Sequence, residues 1–384
     1  MVKSLTAFTE EIDDPKKAIS DILDKIDFSR DLLKNSVGIV HCFNEYAENG
    51  IVEELCSKLP FEIVGCTTIS ASACGIMSEI ALILTVLTSD DVEFAVGASV
   101  PVEQDADKPV KELYNNILTK LGGKPSLLVT FIPFTNKISG NEFLVKLNEC
   151  AGNIPSFGTV AVSNNSSFED SYTICNGKAY PESLVLLALK GDVSPSFATI
   201  AVMGDMIVKQ KALVTSSEQN IVKTINGVTA YKYLKAAGVV DDEDVSGLLA
   251  MPFILELENG SQLVRTVTGL TPEGYVLFAG FVPVNSRFHV YLMESDDVLQ
   301  STEVKVSEVL ENSSGKTIMM YSCVGRNWAL GLNAMAEHEK IRDIIKNEAA
   351  FYCVYSGGEV FPSKSTDGSI TNYMQNNSLV ICVI

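Results

Sequence analysis

Short runs of β-branched and apolar residues alternate along the chain with stretches whose apolar positions recur every three or four residues. The first pattern predicts strands and the second amphipathic helices, so the alternation predicts a mixed α/β fold. In the first half, strands are expected near 37–43, 61–67, 80–88, 92–99, 126–134, 156–162, 170–176, 183–190, 195–203 and 206–215, with helices near 46–58, 107–121 and 139–151. A helix over 14–26 opens the chain: Asp13 and Asp14 supply cap acids, Pro15 suits the first turn, and Ile19, Ile22, Leu23 and Ile26 share a face. The second half predicts a helix near 228–237, then strands near 251–257, 261–268, 274–280 and 287–293. A long helix capped by Ser295 follows, then a strand at 317–323, a helix at 328–347, and strands at 350–356 and 378–384.

The two halves carry matching landmarks. Gly123-Lys124 and Gly315-Lys316 each open a strand, Phe157 is matched to Phe351, and Ser183-Leu184-Val185 to Ser378-Leu379-Val380. These offsets predict a duplication in which residues 80–190 superpose on 287–384. The expected architecture is two duplicated α/β halves, mixed sheets packed together and helices outside.

At 384 residues the chain exceeds one ordinary core, which agrees with two packed units. A formal charge of −19 with no dense Lys/Arg cluster argues against nucleic-acid partners. The longest apolar run, 80–87, is far short of the roughly 20 residues that span a bilayer, and the acidic start lacks the pattern of a secretory signal. The expected location is cytoplasmic. Nine cysteines, with no Cys-x-x-Cys, sit mostly in apolar runs and are expected to be free thiols.

Candidate chemistry gathers where buried strands break at glycine. In YSCVGRNW, 321–328, a strand ends at Ser322-Cys323 and a helix follows Gly325-Arg326, whose guanidinium can fork onto a carboxylate or phosphate. In YSGGEVFP, 355–362, Gly358 precedes the single acid Glu359. Arg326 and Glu359 facing one crevice would recognise a zwitterion, although the first motif also reads as an ordinary turn with a surface Arg and the second as a structural ion pair. GCTTISASACG, 65–75, contributes Gly65, Thr67 and Thr68 as a small, hydroxyl-rich wall or a loop. The run SSGKT, 313–317, lacks the first glycine of a P-loop and precedes a strand, so it is not a nucleotide cradle.

Taken jointly, GCTT, SCVGR, SGGEVFP and the late QNNSLV resemble the FIST family over roughly residues 35–384. The residues themselves predict an N-terminal helical segment over 1–34, and the resemblance implies a FIST N-like domain over 35–225 and a FIST C-like domain over 226–384. It implies an intracellular sensory protein without a cofactor, which binds an amino acid or similar small carboxylate and signals through a separate partner protein. The ligand-binding residues it implies are Gly65, Thr67, Thr68, Ser322, Cys323, Gly325, Arg326, Gly358, Glu359, Gln375 and Asn376. Gln375 stands where the family's late motif has His, and Ser70-Ala71 where it often has Gly-Glu, so the ligand is expected to differ from that of typical relatives.

Two other functions are open to the residues. Cys323 beside Arg326 is the best nucleophile candidate, but it needs a base, and His41, His289 and His338 are scattered. A haem-based gas sensor would use His41, His289 or a cysteine as axial ligand. His41 and His289 read as structural residues of apolar strands, and His338 as a residue on an acidic helix face.

Overall fold

The computed structural model describes residues 2–73, 75–165, 167–240, 246–313, 315–346, 348–365 and 367–384. The predicted mixed α/β character is what the chain adopts. Helix starts follow the expected chemistry: Asp14 accepts from the backbone N–H groups of Lys16 and Lys17 at 3.0 and 3.2 Å, ahead of the helix Pro15–Leu23. At the long helix Ser295–Leu310 the cap falls one residue earlier than predicted, on Glu294, whose N–H donates to Asp297 at 2.9 Å. Asn49 and the left-handed Gly50 split the expected 46–58 helix into Asn44–Glu48 and Ile51–Lys58. The 328–347 helix is likewise divided, into Val324–Leu330 and Ala336–Ile345.

Three six-stranded sheets share one topology. The first runs in the order Lys3–Thr9, Leu82–Ser89, Asn35–Cys42, Glu62–Thr67, Thr173–Cys175, Lys178–Tyr180. The second runs Glu93–Ala98, Val185–Lys190, Leu127–Ile132, Ser156–Val160, Glu359–Lys364, Ile370–Gln375, and the third Ser196–Ile200, Leu379–Val383, Thr317–Cys323, Ala350–Ser356, Ala71–Ala73, Ile76–Ser78. In each, the two middle strands are parallel and every other pairing is antiparallel. The edge hairpins are exchanged around a ring. The hairpin that follows the first sheet's parallel pair joins the third sheet, that of the third joins the second, and that of the second joins the first.

The three sheets also share a register. His41, Phe131 and Tyr321 occupy the same position in the three sheets, opposite Ile83, Val185 and Val380. Their rings meet at the centre, His41 lying 6.0 Å from Phe131 and 5.7 Å from Tyr321. One face of all three sheets forms this common core, in which each fully buried large apolar side chain contributes about 1.5–3 kcal/mol. The opposite faces carry the helices: Pro15–Leu23 and Ile51–Lys58 on the first sheet, Asp107–Leu121 and Gly140–Ala151 on the second, Ser295–Leu310 and Ala336–Ile345 on the third.

The matched landmarks belong to the second and third units, and a further unit precedes them. The counterpart of Glu93–Ala98 is Ser196–Ile200, not the strand near 287–293. That strand, Arg287–Leu292, lies in a fourth, nine-stranded sheet inserted between Ser196–Ile200 and the helix Ser295–Leu310, with its own core. The Phe157–Phe351 match is one residue out of register: Phe157 faces the common core, whereas Phe351 faces the helices, and the true counterpart of Phe157 is Tyr352. Residues 1–34 hold a strand, Lys3–Thr9, besides helices.

Candidate functional site

The segment Ser322–Arg326 leaves the third sheet between two polar clusters, one on each side. The first belongs to Arg326, which is wholly buried. Its Nε and Nη2 donate to Oε1 of Glu337 at 3.1 and 2.8 Å. Nη2 also reaches Ser301 Oγ, Thr302 Oγ1 and the Val298 carbonyl, and Nη1 donates to the carbonyl of Ala201. Glu337 accepts further from Ser322 and Thr302, each at 2.7 Å. Burial works against the charge on Glu337, but Arg326 and the two hydroxyls outweigh it and hold the carboxyl below its usual range. Ala201 is where the chain leaves for the inserted sheet and Val298–Thr302 is where it has returned, so this cluster fastens both ends of the insertion.

Arg326 and Glu359 therefore do not form the expected pair. The guanidinium is spent on Glu337 and backbone, and Ser322 is spent on the same acid. Sequence reasoning missed Glu337 because an acid on a helix ordinarily faces water.

The second cluster is incomplete. Glu359, at the start of the Glu359–Lys364 strand, accepts from Ser378 Oγ at 2.8 Å through Oε2, and its Oε1 has no hydrogen-bond partner among the described residues. The same holds for Oδ1 of Asn376 and for both amide atoms of Asn377. All three residues are at most 1% exposed. Burial pushes Glu359 up to about 8, only partly offset by Ser378 and the adjacent Cys323 thiol. Burial, then Glu359, raise Cys323 well above the ordinary thiol range, which favours its protonated form.

Glycines let these groups close on one another. A Cβ on Gly325 would collide with Oδ1 of Asn377 and crowd the Leu249 carbonyl of the inserted sheet, and one on Gly357 would lie 2.8 Å from Val162. Asn377 holds φ at +50°, a left-handed conformation that asparagine tolerates better than most residues. An Asn-Asn pair just ahead of a buried strand was the signal that would have found it. Gly357 and Met374 also wall a cleft of about 450 Å³ between the second and inserted sheets, lined as well by Phe134, Ser139, Val160 and Gln219.

Cys323, Gly325, Gly358, Glu359 and Asn376 thus come together at one junction. The other candidates have separate places. Gln375 accepts from Val264 N–H at 2.8 Å and donates to the Gln262 carbonyl at 3.3 Å, tying the inserted sheet to the hairpin. Gly65 packs bare against the Val40 carbonyl, as Gly158 does against that of Thr130. Thr67 accepts from Tyr172 N–H at 2.9 Å, and Thr68 donates to the Tyr355 carbonyl at 2.9 Å.

Residues 36–228 match the FIST N domain and residues 228–362 the FIST C domain. The chain belongs to the FIST family. No curated protein sequence matches it. A solved structure similar to this FIST protein over 100% of its chain and 99% of the other, at 7% identity and a TM-score of 0.39, is the cyanuric acid hydrolase from A. caulinodans.

Two of the three histidines, His338 and His41, are wholly buried. His338 is not on an exposed helix face: it is buried between Ser70 Oγ, 3.1 Å from Nε2, and Ser72 Oγ, 2.9 Å from Nδ1. Burial lowers it to about 4. His41 lies among Phe131, Tyr321 and Tyr352 at the centre of the common core, lowered by burial to about 3. Eight cysteines are free, and Cys74 lies outside the described residues. Among the described residues no helix is long and apolar enough to cross a membrane.

Proposed function

We propose that this FIST protein is a cytoplasmic, non-catalytic sensory module whose small ligand, an amino acid or similar small carboxylate, docks at the Glu359–Asn376–Asn377 junction. The observation that carries the reading is the set of four polar atoms buried there without partners among the described residues. An unpaired buried polar group costs about 1–3 kcal/mol, a cost that a ligand supplying the missing hydrogen bonds would remove. Signal output follows from position. The segment Ser322–Arg326 touches this junction through Cys323 and Gly325 and fastens the inserted sheet through Arg326, so a change at Glu359 has a short path to that sheet and to a separate signalling partner.

The protonated, buried thiol of Cys323 favours binding over a Cys323-dependent reaction, and the filled surroundings of His41 favour it over a haem sensor. A thermal-shift screen of metabolites tests the reading. A ligand at 100 times its Kd adds about 2.7 kcal/mol of stability, and Asn376→Ala with Asn377→Ala should abolish the shift. A screen with no hit, or a hit indifferent to both substitutions, sinks it.

A further inference from the structure

The unpartnered atoms have a chemical bias. Three are acceptors, Glu359 Oε1 and the Oδ1 atoms of Asn376 and Asn377, against one donor, Asn377 Nδ2. Arg326 is committed to Glu337, the buried Arg265 to the carbonyls of Phe281, Val264 and Met374, and the described residues form no ion pair with Glu359. The groups that face it are the Ser378 hydroxyl, the Cys323 thiol and, farther off, the charge of Arg326. A carboxyl in such a place keeps its proton, because an isolated buried anion is far costlier than a buried acid.

Resting on the binding reading above, we infer that the ligand group received at this junction is an ammonium, or a comparably N–H-rich cation, and that it enters in exchange for the proton on Glu359. The exchange balances. The carboxyl O–H proton leaves to solvent, the cation takes its place, and the net charge of the buried cluster is unchanged. The cation's N–H groups then satisfy Glu359 Oε1 and the two asparagine oxygens, which a carboxylate end cannot do. Glu359 thereby acts as a charge filter: an anion meets only Asn377 Nδ2 and the Glu359 O–H and gains no ion pair, a neutral molecule gains no ion pair either, and a cation gains the ion pair together with the acceptors that proton loss frees.

The linkage has a defined sign. Below the acid's own titration near pH 8 each bound cation must expel one proton, so affinity rises about tenfold per pH unit between pH 6 and 8 and levels off above it. Three probes separate the ends of a simple zwitterion: L-alanine, N-acetyl-L-alanine, which lacks the ammonium, and ethylamine, which lacks the carboxylate. Titration calorimetry at pH 7 in phosphate and in HEPES, whose ionisation enthalpies differ and neither of which is a primary ammonium, counts released protons. Wild type should bind ethylamine and L-alanine with release close to one proton and should reject the N-acetyl compound, and Glu359→Gln should release none.

Equal binding of the N-acetyl compound, or binding without proton release, overturns the exchange and leaves the site standing. So does a screen hit that lacks N–H donors and is lost in Asn377→Ala. If no compound of the screen binds, both readings fall together. A measurement without ligand is independent of these: carboxyl-carbon NMR of wild type against Glu359→Gln should show this acid still protonated at pH 6, and an ionised Glu359 there refutes the inference.

Discussion

Two buried polar clusters sit on either side of Ser322–Arg326, a few residues apart, and they are built oppositely. Around Arg326 the guanidinium and the Glu337 carboxylate are each held by several bonds, and the hydroxyls of Ser301, Thr302 and Ser322 complete the set. Around Glu359 an acid and two amides are buried just as deeply with partners missing. Both look like polar motifs in the sequence, and exposure does not separate them. Satisfaction does: a completed cluster holds the scaffold, whereas an incomplete one stores a cost that binding can relieve.

The sharpest way to break that contrast is to remove one partner from the complete side. Glu337→Ala leaves Arg326 charged, buried and unpaired, and is expected to destabilise the protein by about 3–5 kcal/mol in chemical denaturation. Arg326→Lys keeps the charge but loses the fork that reaches Ala201, Val298 and Glu337 together, so stability should fall before any ligand is added. If either variant is as stable as wild type, the cluster is not scaffold.

Next in size is the pH dependence of the incomplete side. Glu359 titrates higher folded than unfolded, so the folded state holds an extra proton between about pH 4.5 and 8. Its contribution is greatest below 4.5 and is lost as pH rises through 8, a loss on the order of a few kcal/mol. Denaturation curves of Glu359→Gln should lack this slope and equal or exceed wild type at pH 8. His338 works in the other direction. Lowered to about 4, it supports the fold above 6.5 and loses that support as pH falls toward 4. A wild-type curve that Glu359→Gln leaves unchanged between pH 5 and 8 would place an ionised acid in the cluster and remove the distinction.

The smallest expected effect is at Asn377. Asn377→Gly retains the left-handed backbone and removes two unpartnered atoms, so stability should change by less than about 1 kcal/mol while ligand shifts disappear. A loss of several kcal/mol would show that the amide is already engaged.

Much of the fold was legible because β-branched runs and helical spacing are local signals. The alternation of strands and helices around Val37–Val40 or Leu127–Ile132 needed no distant information. The third repeat was hidden for local reasons too. Ala71–Ala73 and Ile76–Ser78 are three-residue strands, the first built from alanine and serine, which carry little strand preference. Lys3–Thr9 is an edge strand rich in polar residues. The inserted sheet, meanwhile, separated Ser196–Ile200 from the rest of its unit. At the site, Cys323, Gly358 and Glu359 announced themselves as buried strands ending at glycine, which is chemistry written in adjacent residues. The partner of Arg326 was not, since Glu337 lies one helix away and nothing nearby marks an acid that will be buried.

The exchanged hairpins have a consequence for how such a chain comes off the ribosome. The first sheet waits for residues 173–180 to fill its edge, the second for 359–375, and Ser196–Ile200 stays unpaired until Leu379–Val383 is made. No unit can close early, so folding is governed by contacts far apart in sequence and is expected to be slow. Open strand edges persist through most of synthesis, the situation in which nascent chains pair with one another. A truncation at 225 therefore yields not a small stable domain but a ring with two of its three sheets unfinished.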